Sequence, residues 1–203
     1  MSKGLVIVVS APSGGGKGTI LKELFERNSN IKFSVSATTR NLRPGEVDGQ
    51  HYYFIDKPKF QELIDNDKML EHAEYCGNFY GTPREPIEKA VDEGYDIVLE
   101  IEVQGGAQIK KKIPECVSVF ITPPSMEVLE KRLRNRGTET DEVIKNRLNT
   151  ALSEIPHAKD YDYIVVNDKL EDAVAELESI IKAEKLKYSR NTDLEIFKDI
   201  SKE

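Results

Sequence analysis

The 203-residue sequence has no tryptophan, only two cysteines, only three histidines and no long hydrophobic run. Cys76 and Cys116 are too few for a disulfide framework, and we expect both to be ordinary packed thiols. His51, His72 and His157 are scattered without the spacing of metal ligands. A membrane-spanning helix needs about 20 consecutive apolar residues, so we expect no membrane association.

Positive charge is also scarce, because 29 Lys and Arg residues stand against 36 Asp and Glu residues, for a formal net charge of −7. This balance argues against a nucleic-acid polymer as a partner. The apolar fraction of 38% and the charged fraction of 32% suit one globular domain with room for appended lobes. A strand pattern begins directly after Met-Ser-Lys-Gly, without a signal-peptide pattern, and from this we expect a cytoplasmic protein.

Residues 5–19 form the most informative stretch of the chain. Five apolar residues predict a buried strand, a glycine-rich turn follows, and Lys17 begins an amphipathic helical pattern. Backbone N–H groups in such a turn can surround an anion at a helix N-terminus, within reach of the lysine. Relative to the usual GxxxxGK[ST] pattern, Ala11 replaces the first glycine, and Gly18 moves the hydroxyl to Thr19. The stretch predicts a loop for nucleoside triphosphate, and a glycine turn without a ligand is the alternative.

A second anion site is predicted in the polar segment 39–54. Arg40 and Arg43 can meet one phosphate from two directions, because guanidinium groups match phosphate geometry. Tyr52 can donate a hydrogen bond to the same anion. A solvated surface loop is the alternative interpretation.

Strand and helix patterns alternate along the chain and predict an α/β fold with a parallel sheet flanked by helices. Residues 31–39 are predicted as one strand and residues 77–82 as a turn. The strand predicted over 96–102 ends in Glu100 and Glu102, which places two carboxylates at the edge where ligands bind in open α/β sheets. Exposed edge acids without a role are the alternative.

A predicted helical hairpin near residues 125–150 carries several arginines. Arg132 and Arg136 lie four residues apart on one helix face, and Arg147 lies on the next helix. A solvated face is the alternative, but beside a phosphate-binding loop such a hairpin can close as a lid. Two anion sites and a basic lid, without an evident nucleophile–base pair, favour phosphoryl transfer.

The sequence resembles the guanylate kinase family over nearly its whole length, to about residue 188. The resemblance rests on the loop ending Gly16-Lys17-Gly18-Thr19, on the signature over 39–55, and on the segments 33–36, 77–82, 102–105, 136–140 and 166–168. It implies a P-loop nucleoside monophosphate kinase fold with a core of 1–34, 96–124 and 151–203, a GMP-binding lobe of 35–95 and a lid of 125–150. It further implies transfer of the γ-phosphoryl group of ATP to GMP, with Mg²⁺, in purine nucleotide metabolism.

The resemblance also implies residue roles by position. The catalytic residues would be Lys17, Arg43, Arg132, Arg136 and Arg147. ATP would be bound by Ala11, Pro12, Ser13, Gly14, Gly15, Gly16, Lys17, Gly18, Thr19 and Asn167, with Thr19 near the magnesium ion, directly or through water. GMP would be bound by Ser36, Arg40, Arg43, Glu46, Tyr52, Glu71, Tyr80, Thr82, Glu100 and Glu102.

Within this set, Glu71 and Thr82 would read the guanine, assisted by Glu100. A carboxylate can accept from guanine N1–H and the 2-amino group together, which adenine does not offer. Use of dGMP and the choice between monomer and dimer stay open. Two alternative functions remain: a catalytically silent binding module of the same family, or a P-loop kinase for another phosphorylated acceptor.

Overall fold

The computed structural model describes residues 3–135, 137, 139–192 and 196. The strands are β1 (Val6–Ser10), β2 (Ile31–Phe33), β3 (Ala37–Thr38), β4 (Tyr53–Phe54), β5 (Met69–Tyr75), β6 (Asn78–Pro83), β7 (Asp96–Glu100), β8 (Val117–Thr122) and β9 (Tyr163–Val166). The helices are α1 (Lys17–Arg27), α2 (Lys57–Asp65), α3 (Arg84–Asp92), α4 (Val103–Lys112), α5 (Met126–Asn135), α6 (Asp141–Glu154) and α7 (Leu170–Lys185). A 3₁₀ helix over Ile155–Asp160 follows α6 directly.

The main sheet is parallel throughout, in the order β2-β7-β1-β8-β9. Strand β1 is central and reads as a nearly continuous apolar run because helices cover both faces. Ile7 and Val9 pack with α1 and α7 on one face, whereas Val8 packs with Ile87 of α3 and Ile109 of α4 on the other. The predicted α/β fold with a parallel sheet flanked by helices is confirmed.

A second sheet, of order β4-β3-β6-β5, stands apart from the main one and is mixed in direction. The prediction of one strand over 31–39 is wrong, because the chain changes sheets within it. Strand β2 pairs with β7 in the main sheet, and Ala37 of β3 pairs with Gly81 of β6 in the second. Alternating side chains report extended backbone but not the strand with which it pairs.

The prediction of a turn over 77–82 is also wrong, since most of this segment is strand β6. The turn is confined to Cys76 and Gly77, with φ values of 50° and 73°. Two residues with positive φ suit a tight hairpin between twisted strands. Cys76 is exposed at this tip, against the expectation of a packed thiol, whereas Cys116 is buried as expected. Burial raises the pKa of the Cys116 thiol to about 11.

The carboxyl ends of β1 and β7 lie side by side, since the two strands are neighbours and parallel. The glycine-rich loop follows β1, and Glu100 is the last residue of β7. In open parallel sheets this edge is where ligands bind. Among the described residues, no helix combines the length and hydropathy that a membrane crossing requires.

The opposite edge of the sheet is fixed by Asp96, whose side chain is 2% exposed. Its carboxylate accepts a hydrogen bond from Leu5 N at 3.0 Å and lies 2.6 Å from Lys185 Nζ at the end of α7. One side chain therefore joins β1, β7 and α7.

We expect Asp96→Ala to lower the free energy of unfolding by about 2 kcal/mol, because it leaves a buried N–H and an ammonium group without their acceptor. Urea denaturation measures this change. The matched control is Asp92→Ala, which removes an exposed carboxylate paired with Lys3 and should change stability by less than about 0.5 kcal/mol. Equal effects of the two variants would contradict the role of Asp96.

Candidate active site

The glycine-rich loop joins β1 to α1 and has the shape of a phosphate-binding loop. Gly16 precedes α1 with φ at +88°, and an added Cβ would lie 2.3 Å from Asn167 Nδ2. Only glycine meets both demands, the left-handed backbone and the close approach. Asn167 is buried, and its Nδ2 donates to the Gly15 carbonyl at 2.9 Å. Asn167, predicted near ATP, therefore contacts the loop itself.

Lys17 is the first residue of α1, and its ammonium group points to the end of β7. Its Nζ donates to the Ile101 carbonyl at 3.3 Å and lies 3.9 Å from Glu100 Oε1. Burial lowers the pKa of Lys17, and the nearby carboxylates of Glu100 and Glu102 oppose this shift. The positive charge of Lys17 therefore lies between the phosphate loop and the end of β7.

Glu154 is not among the residues predicted from the sequence, yet it contacts the loop directly. It is the last residue of α6, and its Oε2 accepts a hydrogen bond from Ser13 N at 2.9 Å. The Glu154 carboxylate thus occupies a backbone N–H group of the loop that would otherwise be available to a phosphate. Its sequence position at a helix end, 141 residues from Ser13, gave no signal for this contact.

Arg40 lies at the centre of a second basic cluster. Its guanidinium group donates to both carboxylate oxygens of Glu46, at 2.7 and 3.0 Å. It also lies 5.6 Å from the centre of the Tyr52 ring, which is in edge contact with the Tyr80 ring. The hydrogen bonds from Arg40 and from Arg43 N lower the pKa of Glu46 to about 2. The structure therefore brings together Arg40, Tyr52 and Tyr80, as predicted, whereas the Arg43 side chain is exposed.

A recess of about 390 Å³ lies between the second sheet and the end of β7. Seven of the residues predicted to bind GMP meet here or directly behind its wall: Ser36, Tyr52, Glu71, Tyr80, Thr82, Glu100 and Glu102. Glu71 is 8% exposed, and its Oε1 accepts a hydrogen bond from Thr82 Oγ1 at 2.7 Å. Burial raises the pKa of Glu71, and the hydrogen bond from Thr82 opposes the shift. The two oxygens of a buried carboxylate can each accept a further hydrogen bond, which suits a ligand with two adjacent N–H donors.

The predicted lid arginines are placed differently from one another. Arg132 lines a groove of about 470 Å³ with Gly16, Thr19 and Asn167, and its Nη2 donates to the Asp168 carbonyl at 3.2 Å. Arg147 Nε lies 3.2 Å from Glu139 Oε2, within the hairpin. Arg136 lies outside the described residues. The structure therefore brings one predicted lid arginine to the phosphate loop.

The oxygen groups near the loop are compatible with a magnesium ion bound largely through nucleotide phosphates. Mg²⁺ in phosphoryl-transfer sites takes one or two protein oxygens, with substrate phosphates and water as the other ligands. Thr19 is exposed on α1, and Glu100 lies beside the Lys17 ammonium group. Within the described part of the chain, no group of three or more His, Cys, Asp or Glu side chains is placed to hold a metal ion.

A phosphate loop after the central strand, beside a second basic cluster and a recess with a buried carboxylate, defines the class of P-loop phosphotransferases that act on small acceptors. Comparison with known sequences narrows this class. The sequence model of the guanylate kinase family matches residues 3–184. The chain belongs to the guanylate kinase family.

Individual relatives agree over almost their full length. A guanylate kinase of Carboxydothermus hydrogenoformans is 52% identical over 190 residues, which cover 94% of this chain and 93% of the relative. One from Clostridioides difficile is 50% identical over 201 residues, covering 98% of each chain. The crystal structure of guanylate kinase from Anaplasma phagocytophilum superposes with a TM-score of 0.71 at 40% identity, covering 94% of this chain and 90% of that one.

Glu71 allows a test of the recess by its effect on stability. Its raised pKa means that ionising the carboxyl costs more in the folded chain than in the unfolded chain. The cost is fully present above the folded-state pKa and disappears below the ordinary value of 4.5. We therefore expect Glu71→Gln to raise the Tm of the ligand-free protein at pH 7, by a margin that shrinks as the pH falls to 4.

Thermal unfolding followed by circular dichroism measures both Tm values. The matched control is Glu74→Gln, an exposed position on the same strand, which should shift Tm little at either pH. A Glu71→Gln shift that is negative, or that is the same at pH 7 and pH 4, would contradict the burial cost.

Proposed function

We propose that this protein transfers the γ-phosphoryl group of ATP to GMP, giving ADP and GDP. One observation carries the proposal: the phosphate loop and the acceptor recess share a wall at the end of β7. Lys17 Nζ contacts the Ile101 carbonyl, and Ile101 and Glu100 line the recess. Two nucleotides bound in these sites would place their phosphates toward each other, which is the arrangement that phosphoryl transfer needs.

Guanine recognition is assigned to Glu71 and Thr82, with Glu100 and Glu102 at the recess wall. The Glu71 carboxylate can accept from guanine N1–H with one oxygen and from the 2-amino group with the other, while Thr82 Oγ1 also donates to Oε1. Adenine lacks this donor pair and would leave the buried carboxylate unpaired, at a cost of roughly 1–3 kcal/mol. Selectivity for GMP follows from that unpaired carboxylate.

The GMP phosphate is assigned to Arg40, Arg43, Tyr52 and Tyr80, with Ser36 beside them. Arg40 is already oriented by Glu46, whose carboxylate holds the guanidinium plane. The role proposed for Glu46 is to orient Arg40 next to the acceptor phosphate. The exposed Arg43 side chain reaches the phosphate from the loop when GMP is bound.

The transferring phosphate is assigned to Lys17 and Arg132, with Arg136 and Arg147 added on lid closure. Arg132 Nη1 is buried and has no hydrogen-bond partner among the described residues, which suits a donor reserved for a phosphate oxygen. Loop residues 11–19 bind the ATP phosphates, and Asn167 lies at the adenine side. Mg²⁺ bound with ATP would neutralise part of the charge on the phosphates, with Thr19 contributing directly or through water.

We further propose a division of the chain into a core and two smaller parts, and a metabolic and cellular context for the reaction. Residues 1–34, 96–124 and 151–203 form the core, 35–95 form the GMP-binding lobe, and 125–150 form the lid, and both smaller parts close over the substrates to exclude water. The reaction belongs to purine nucleotide metabolism in the cytoplasm. Both substrates are mononucleotides, and the formal charge of −7 favours no nucleic-acid polymer as an additional partner.

The deciding experiment is an acceptor panel in a coupled ADP-release assay with ATP and Mg²⁺. GMP should be phosphorylated, while AMP, CMP and UMP should react at least about a hundredfold more slowly in kcat/KM. Lys17→Ala should lower kcat with GMP by about a hundredfold or more, because a donor to the developing charge is lost. No turnover with any acceptor would favour a silent binding module, and preference for another acceptor would overturn the assignment to GMP.

Glu46→Gln tests the orientation of Arg40. We expect the KM for GMP to rise about tenfold, since a neutral amide holds the guanidinium more weakly than a carboxylate does, while the KM for ATP stays within about twofold. Steady-state kinetics with each substrate varied in turn measure both values. Glu62→Gln removes a carboxylate from an exposed pair with Lys59 and serves as the control. Unchanged GMP kinetics in Glu46→Gln would remove Glu46 from the phosphate site.

A further inference from the structure

Helix α4 runs along the free edge of strand β5, which carries the buried carboxylate of Glu71. Strand β5 is the last strand of the second sheet, so one side of its backbone has no neighbouring strand within the described part of the chain. Three residues on one face of α4, spaced i, i+3 and i+7, meet this edge: Gly105, Gln108 and Lys112. We call these three residues the α4 edge face.

Gln108 pairs with the backbone of β5 at His72. Its Oε1 accepts from His72 N at 3.2 Å, and its Nε2 donates to the His72 carbonyl at 3.3 Å. A side-chain amide offers the same donor and acceptor as a peptide group, so Gln108 acts as a one-residue extension of the sheet. His72 directly follows Glu71, and fixing its backbone limits the direction in which the Glu71 side chain leaves the strand.

The pairing of β5 with β6 is irregular next to Glu71. The β5–β6 pairing shifts register between Met69 and Glu71, which marks a bulge or irregularity. A bulge redirects the side chains next to it and interrupts the regular ladder. Lys112 Nζ donates to the Met69 carbonyl at 2.6 Å, so α4 restrains the strand on both sides of the irregular point.

Because Gly105 has no side chain, the Glu71 carboxylate can occupy the space next to it. An added Cβ at this position would lie 3.2 Å from Glu71 Oε2 and 3.6 Å from its Cδ. Gly105 lies inside a helix, where glycine costs about 0.5–1 kcal/mol relative to alanine. The close approach of the carboxylate, and not an unusual backbone, accounts for a glycine here.

The N-terminus of α4 closely follows a residue that contacts the phosphate loop. The helix begins two residues after Ile101, whose carbonyl accepts from Lys17 Nζ and from Ser10 Oγ. Ile109 of α4 is fully buried in the core. One helix therefore connects the lysine at the donor phosphates to the carboxylate at the acceptor base.

We propose that Gln108 and Gly105 are positioning residues that set the place of Glu71, and thereby the selection and binding of the acceptor base. This inference rests on the proposed role of Glu71 in reading guanine. It assigns no contact with substrate to either residue.

The test compares Gln108→Ala, Gly105→Ala and Glu71→Gln in steady-state kinetics with GMP and ATP varied separately. Gln108→Ala and Gly105→Ala should each raise the KM for GMP about tenfold and leave the KM for ATP within about twofold. The exposed Lys111→Ala on the same helix is the control and should change neither value. Thermal unfolding of each variant shows whether it is folded at the assay temperature, and Gly105→Ala carries the test if Gln108→Ala is not.

The double variant Glu71→Gln/Gln108→Ala separates this inference from the proposed function. If Gln108 acts through Glu71, the double variant should have the same KM for GMP as Glu71→Gln alone, within about twofold. A GMP KM unchanged in both α4 variants, equal losses for ATP and GMP, or full additivity with Glu71→Gln would each overturn the positioning role. A Glu71→Gln variant with normal GMP kinetics would instead overturn the proposed reading of guanine, and this inference with it.

Discussion

The carbonyl oxygen of Ile101 is the acceptor on which the site depends. Ser10 Oγ, at the end of β1, donates to it at 2.8 Å, and Lys17 Nζ donates to it at 3.3 Å. This shared acceptor joins the phosphate loop to the end of β7 and to the start of α4. Because the acceptor recess is built on the same stretch of chain, a shift of Ile101 would move the lysine and the recess wall together.

Several groups that could bind phosphate contact carboxylates in the ligand-free chain. Glu46 holds Arg40, Glu154 holds Ser13 N, and Glu100 lies beside Lys17. Glu46 keeps the Arg40 guanidinium group oriented, so this group needs little reorganisation when a phosphate arrives. The Glu154 carboxylate, in contrast, has to leave Ser13 N before that N–H group can bind phosphate. The overall charge of −7 is consistent with this arrangement, since many of the basic groups at the site have acidic neighbours.

The sequence was informative where the signal is local. The phosphate loop needs a strand, glycines, a lysine and a helix in order, and Gly16 and Lys17 take the expected places. The proximity of Arg40 and Tyr52 could likewise be predicted, because both residues belong to the segment 39–54. Contacts between residues that are distant in the chain could not be predicted from local sequence patterns. Glu154 reaches Ser13 across 141 positions, and Gln108 reaches His72 across 36, with nothing in the intervening residues to indicate either partner.

By itself, the sequence determined the α/β class and the phosphate loop, because residue type and spacing fix these through local geometry. The set of residues for the acceptor came from the resemblance to the guanylate kinase family and stays a prediction. Only the tertiary structure decided that residues 31–39 divide between two sheets, that residues 78–83 form a strand, and that α4 lies along β5. Strand pairing and helix docking depend on surfaces that form only when distant segments meet. The placement of Lys17 relative to the buried Glu71 carboxylate is therefore decided by the fold and not by any single motif.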